Sequence, residues 1–261
     1  MSCSRVALAL VVTAVACGGE KQSSSAPVFG GEGAVIASPD EKPLPQEEAQ
    51  ADSGPCGKHA PPGDVKLLED FEDGDAKLFK AFQREGWWHS ATDNTQGSSI
   101  HPSGAFAAEL LAAPESTKEN RYAAHLKASG QTQWGVVWGT SLNWVNQGIR
   151  CPFNASKFAG VRFRAKGPGT VRVNVSIPET IPPEHGGNCK QGCYDNYHKV
   201  VLLNDKWDDY TVLWEKLQQG GWGTEARFDP TRVIGLSFAA SPKELPIEFW
   251  LDDIEFIEAA R

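Results

Sequence analysis

The chain has 261 residues, a formal net charge of -8 and an isoelectric point near 5.3. Its Lys and Arg are dispersed without basic runs, so it lacks the electrostatic footprint of a nucleic-acid binder, and neither DNA nor RNA is an expected partner. Nine Trp and six Cys say more about function than the bulk composition does.

Residues 1–17 place Arg5 ahead of an apolar run from Val6 to Ala16, shorter than the roughly 20 residues of a membrane-spanning helix. This reads as an export signal. The stretch Ala14-Val15-Ala16-Cys17-Gly18 resembles the lipobox of bacterial lipoproteins, with Ala14 where Leu is most often found. That resemblance implies lipidation of Cys17 and a soluble domain anchored to a membrane of the bacterial cell envelope or surface. Secretion without a lipid is the other reading. Residues 18–63 are rich in Ser, Gly, Pro, Glu and Ala, with too few large apolar side chains to offset the entropy of folding, and are expected to form a disordered tether. Residues 64–261 suffice for one domain, taken as a monomer.

Cys3 and Cys17 belong to the export segment, which leaves Cys56, Cys151, Cys189 and Cys193. Outside the cytoplasm an even set favours disulfides. Of the three possible pairings, Cys189 with Cys193 and Cys56 with Cys151 is preferred, because the first pair closes only a small loop.

Within the domain, segments alternate apolar and polar residues with period two: VRFRA (161–165), TVRVNVS (170–176), KVVLL (199–203), DYTVLW (209–214), VIGLSF (233–238) and IEFWLDDIEF (247–256). Bounded by Gly, Pro, Asn and Asp, with no long helical periodicity, they predict an all-β protein, an antiparallel β-sandwich of the jelly-roll kind. The alternation points Val161, Phe163, Ala165, Val171, Val173 and Val175 inward. Arg162, Arg164, Arg172, Asn174 and Ser176 then lie on opposite faces, and a hairpin through Lys166–Gly169 would gather them into one patch.

A sugar site needs exposed aromatic planes for C–H faces and polar groups for hydroxyls. Trp138, Trp144, Trp222, Tyr194 and Tyr197 sit beside Gly or in loops and are the candidates, whereas Trp207, Trp214 and Trp250 are assigned to packing. Acidic runs stand at both ends of the domain, LLEDFEDGD (67–75) and WLDDIEF (250–256). If they meet, they offer the hard oxygens that Ca²⁺ requires.

Taken together, DFEDG, GWWHSATDNTQGSSIHPSG, NASKFAGVRFRAKGPGTVRVNVS, CYDNYHKVVLLNDKWDDYTVLWEKL, GWG, FDPTRVIGLSF and FWLDDIEF resemble the galactose-binding-like jelly roll of carbohydrate-binding modules, most closely family 11. The resemblance covers residues 65–258. It implies a structural Ca²⁺ joining Glu72 to Asp252. Arg164 departs from the pattern, standing where an aromatic is common, so that binding there would run through hydroxyl contacts rather than stacking.

The stretch HGGNCKQGCYDNYH (185–198) could in principle offer zinc ligands, but its spacing matches no common zinc arrangement. It reads as a disulfide-stapled rim presenting Tyr194, Asp195, Tyr197 and His198. Glu179 and Glu184, in a Pro-rich loop, are the carboxylates available to a hydrolase. The leading expectation is a non-catalytic glycan binder that holds a β-linked polysaccharide or oligosaccharide across a concave face. A surface protein-interaction module comes second and a glycoside hydrolase third.

Overall fold

The computed structural model of the chain describes residues 56, 65–81, 84–103, 108–112, 115–145, 149–242 and 247–259. The expected export signal over 1–17, with Cys17, and the tether over 18–63 except Cys56 lie outside the described residues.

Period-two alternation becomes strands wherever one face has a core to bury. In chain order these are β1 (Leu67–Glu69), β2 (Trp88–Thr92), β3 (Ser99–His101), β4 (Glu109–Leu110), β5 (Tyr122–Ser129), β6 (Val136–Ser141) and β7 (Trp144–Val145). They continue with β8 (Ile149–Arg150), β9 (Phe158–Lys166), β10 (Thr170–Ser176), β11 (Tyr197–Leu202), β12 (Asp208–Leu213), β13 (Gly235–Ala240) and β14 (Ile247–Glu258). Among the described residues the only helices are short 3₁₀ turns such as Pro178–Thr180 and Pro183–His185.

Two antiparallel sheets result. A seven-stranded sheet has the order β12-β9-β14-β5-β3, with β1 also on β14 and β4 on β5; a five-stranded sheet has the order β11-β10-β13-β6-β2. Their inner faces share one apolar core, in which Val161, Phe163 and Ala165 of β9 and Val171, Val173 and Val175 of β10 are all buried, as the alternation predicts. This is the antiparallel jelly-roll sandwich expected from the pattern, and all six predicted strands are present within a few residues.

The predicted hairpin between β9 and β10 is not. Both edges of β9 are taken by β12 and β14, and both edges of β10 by β11 and β13, so the turn at 167–169 crosses from one sheet to the other. Gly167 makes the crossing possible: at φ +151° its Cβ position would lie 2.6 Å from the Glu248 carbonyl oxygen, too close for any side chain. The two apolar triplets therefore face each other through the core. Their polar partners point in opposite directions, Arg162 and Arg164 off the seven-stranded sheet and Arg172, Asn174 and Ser176 off the five-stranded one.

Both disulfides form as preferred from spacing, Cys56–Cys151 and Cys189–Cys193, with Cα atoms 5.5 and 5.7 Å apart. The four thiols are thereby removed from zinc binding.

Candidate functional site

The outer face of the five-stranded sheet is read from its register. His89 of β2 lies opposite Gly139 of β6, which faces Ser237 of β13, then Asn174 of β10, then His198 of β11. The neighbouring row runs Ala91, Val137, Ala239, Arg172, Val200. Gly139, Ser141, Gly235, Ala239 and Asn174 are buried although they point away from the core, so this row lies low, and the face together with the loops that rise from one end of it is the trough. Asn174 Nδ2 donates to Ser237 Oγ at 3.2 Å, while Arg172, one strand in from the β11 edge, is exposed.

The loops that leave one end of this sheet build its wall. The β7–β8 hairpin carries Trp144, which packs edge-on against Trp87 at 5.6 Å and lies beneath the Arg150 guanidinium at 5.3 Å. The segment after β10 folds onto this hairpin through Gly186, whose Cβ position would fall 2.3 Å from the Arg150 carbonyl oxygen. It brings His185 and Tyr194 together, with the Tyr194 hydroxyl 2.8 Å from His185 Nδ1. Tyr194 is 49% exposed and holds φ +72°, a backbone region costly for a bulky residue. Burial holds His89 below the usual histidine range, with the Arg150 guanidinium adding to the effect and the Trp87 carbonyl working against it.

Trp222 is fixed by Asp195. This carboxylate is 3% exposed and accepts the backbone N–H groups of Gly220, Gly221, Trp222 and Gly223 at 2.7–3.1 Å. Burial works to raise its pKa, and the four donors outweigh burial and hold it below the ordinary carboxylate range. The Thr224 hydroxyl and N–H donate to the Gln191 and Gly192 carbonyls inside the Cys189–Cys193 loop. The staple and the clasp together hold out an indole that is 63% exposed.

Several sequence-predicted residues fall elsewhere. Trp138 is fully buried, with Val136 on the same inward face of β6, and packs edge-on to Phe249 at 5.4 Å; it is core. Asp195 is consumed by its clasp. Tyr197 pairs with the inward-facing Val175, packs on Phe228 and donates its hydroxyl to the Ala226 carbonyl, so it supports the rim from below. Arg162 and Arg164 are ion-paired to Glu255 and Asp253 on the far sheet. Trp207 and Trp250, expected in the core, lie half-buried on that outer face under Lys166, at 5.3 Å from each ring; Trp214 does pack against the core, as assigned. Trp144, Arg172, Asn174, Ser176, Tyr194, His198 and Trp222 are brought to the five-stranded face or its rim. His89, Trp87, Arg150, His185 and Ser237 join them unpredicted. For His89 the signal was available, since Trp88, Ser90 and Thr92 alternate with it along β2.

The carboxylates proposed for a cation converge on one segment. Glu72 Oε1 accepts the N–H groups of Arg121 and Tyr122 at 2.6 and 2.8 Å, and Asp252 Oδ2 accepts from Asn120 Nδ2 at 2.9 Å. Burial pushes Asp252 up to about 7, and Asn120 Oδ1 is buried without a donor. Asn120 Oδ1 is open to a hard cation, whereas both Asp252 oxygens already accept N–H groups, Oδ1 from Asp253 at 2.8 Å. Glu72 fits less well, because its second oxygen also meets the Arg121 guanidinium at 3.3 Å. Among the described residues no group of three or more His, Cys, Asp or Glu is placed to hold a metal.

No family model matches the sequence. The chain is 25% identical over 268 residues to Endoglucanase 3 of Fibrobacter succinogenes, covering 91% of this chain and 36% of that protein, so it spans about a third of the relative's length. Similar solved structures include carbohydrate-binding modules of Clostridium thermocellum. One is the family 11 module of a cellulosomal cellulase, at 16% identity and TM-score 0.45 over 77% of this chain and 98% of that one. The family 11 module in complex with a β-1,3-1,4-mixed-linked tetrasaccharide gives 16% identity and 0.44 over 72% and 98%. The family 30 module of another cellulosomal cellulase gives 18% and 0.42 over 72% and 99%.

Proposed function

We propose that the domain binds a polysaccharide or oligosaccharide, without cleaving it, in the trough on the outer face of the five-stranded sheet. One observation carries the reading: Tyr194, Trp222 and Trp87, exposed aromatic planes, rim a floor whose polar groups, Asn174, Ser237, His198, His89 and Arg172, can meet hydroxyls. The rim is preorganised by the Asp195 clasp and the disulfide, which lowers the ordering cost of binding. The likeness along nearly the whole chain to part of an endoglucanase supports a polysaccharide context. Binding without hydrolysis is favoured because two of the three nearby carboxylates are engaged, Asp195 by four N–H groups and Glu179 by Arg232 at 2.5 Å, which leaves exposed Glu184 without a second carboxylate to work with.

Two disulfides fit a domain that matures in an oxidising, extracytoplasmic compartment. Lipidation at Cys17, with 18–63 as a tether, would then hold the trough away from a membrane. A structural Ca²⁺ at Asp252 and Asn120, approached by Glu72, would supply the counter-charge and the acceptor's missing partner; chelation should then lower the melting temperature, and an unchanged melt would remove the ion from the proposal.

The decisive experiment is a pull-down of the folded domain on insoluble and immobilised polysaccharides, followed by tryptophan fluorescence titration with the soluble form of any that bind. Retention by none, with the circular dichroism of a folded sandwich, would pass the trough to protein partners instead. Release of reducing sugar would convert the reading to a hydrolase.

A further inference from the structure

The cations at the trough differ from those of the opposite face in having no paired carboxylate. Net charge is -8 overall, and on the seven-stranded face each cation is matched: Arg162 by Glu255, Arg164 by Asp253, Lys166 by Glu115, Lys127 by Glu248. Arg172 and Arg150 have no carboxylate in ion-pair contact among the described residues. Arg150 is stacked on Trp144 and Arg172 projects from the floor. Three histidines, His89, His185 and His198, stand with them on the floor and wall. Against these, Glu184 is the carboxylate whose charge reaches Tyr194, while Asp195 and Glu179 are already committed.

Resting on the glycan-binding reading, we infer that the trough selects an acidic glycan, one whose pyranose rings carry carboxylates, with the rim aromatics on the ring faces and Arg172 and Arg150 taking the uronate groups. A guanidinium presents a planar fork that matches a carboxylate with two parallel charge-assisted hydrogen bonds. A neutral glucan laid over the same floor would strip water from both guanidinium groups and return only hydroxyl contacts, so it binds at a disadvantage. From β2 to β10 is three strand spacings, about 14 Å, longer than a single ring, which suits an oligosaccharide stretch over a lone uronic acid.

Affinity electrophoresis of the full chain separates this from its rivals, in gels containing polygalacturonate, the same polymer fully methyl-esterified, a neutral mixed-linkage β-glucan, or dextran sulfate. The expected result is strongest retardation by polygalacturonate, at least about tenfold weaker retardation by the ester, and a roughly tenfold loss of polygalacturonate affinity in Arg172→Gln, whose side chain is exposed and whose removal leaves the fold intact. Arg150→Gln should produce a loss of the same size with unchanged far-ultraviolet circular dichroism. Equal affinity for the acid and its ester, or retardation by β-glucan alone, overturns the acidic preference and leaves glycan binding standing. Dextran sulfate retarding as strongly as polygalacturonate reduces the effect to charge and also overturns it. No retardation in any gel by the folded protein overturns both readings.

Discussion

The two outer faces of the sandwich use the same residue types to opposite ends. On the seven-stranded face, His125 stacks on Trp250 at 3.9 Å and puts its ring nitrogens 2.8 and 2.9 Å from Glu109 and Glu248; Arg164 and Lys166 lie over Trp207. Both of those indole planes are roofed, and each of those charges is answered within the protein. On the five-stranded face, Trp222 and Tyr194 are uncovered, and Arg172 and Arg150 have no carboxylate partner among the described residues. Composition alone therefore does not distinguish a binding face from a self-satisfied one. What distinguishes them is whether the partners come from the chain or are left to a ligand.

Changing the tryptophans breaks the comparison most visibly. Trp138→Ala should cost about 4 kcal/mol, the range for emptying a buried indole site, seen as a lower denaturation midpoint. Trp138→Phe should cost much less, because the indole N–H is buried without a partner and its loss is no penalty. An alanine variant as stable as the parent would contradict the inward placement of Trp138. Next in size is Asp195→Ala, expected to lose about 3 kcal/mol by leaving buried N–H groups without their charged acceptor and to release Trp222 from its fixed position. The pH dependence has a definite sign. The folded-state pKa of Asp195 lies below its ordinary value of 3.8, so its contribution is complete above that pH and is lost as pH falls through the lower, folded value. Acid titration of the parent should show this loss, and Asp195→Ala should flatten it. Trp222→Ala, at an exposed position, should leave the melting temperature unchanged and weaken glycan binding about tenfold, near 1.4 kcal/mol; a matching loss from Trp207→Ala on the other face would erase the distinction between the faces.

The strands legible in the amino-acid pattern are β9 through β14, six to twelve residues long and mostly alternating, because one face of each lies in the core. Of the first eight, six are only two to five residues long and too brief to show a period, while β5 and β6 are buried on both faces over most of their length and so do not alternate. Alternation also states which side chains point inward without stating which sheet a strand joins, so Lys166–Gly169 reads equally well as a hairpin and as a crossing. That ambiguity alone separates Arg164 from Asn174. The glycine beside Trp138 suggests an open loop position, although Val136, Trp138 and Thr140 share one buried face. Arg150 and His185 carry no local signal. Their meeting depends on the segment at 183–187 folding onto the β7–β8 hairpin, a contact between positions distant in sequence.

The smallest effects should come from the seven-stranded face. The side chains of Arg162 and Arg164 are 62% and 38% exposed, and each is ion-paired at the surface. Exposed pairs of this kind contribute less than about 1 kcal/mol because water screens the attraction and holding the side chains costs entropy. Arg162→Ala and Arg164→Ala should therefore shift the denaturation midpoint only slightly and leave glycan titrations unchanged, while Arg172→Ala, with no ion pair to lose, should leave the midpoint alone and change the titration. If Arg164→Ala weakens binding as much as Arg172→Ala does, the ligand crosses both faces, and the division between a satisfied surface and an open one is wrong.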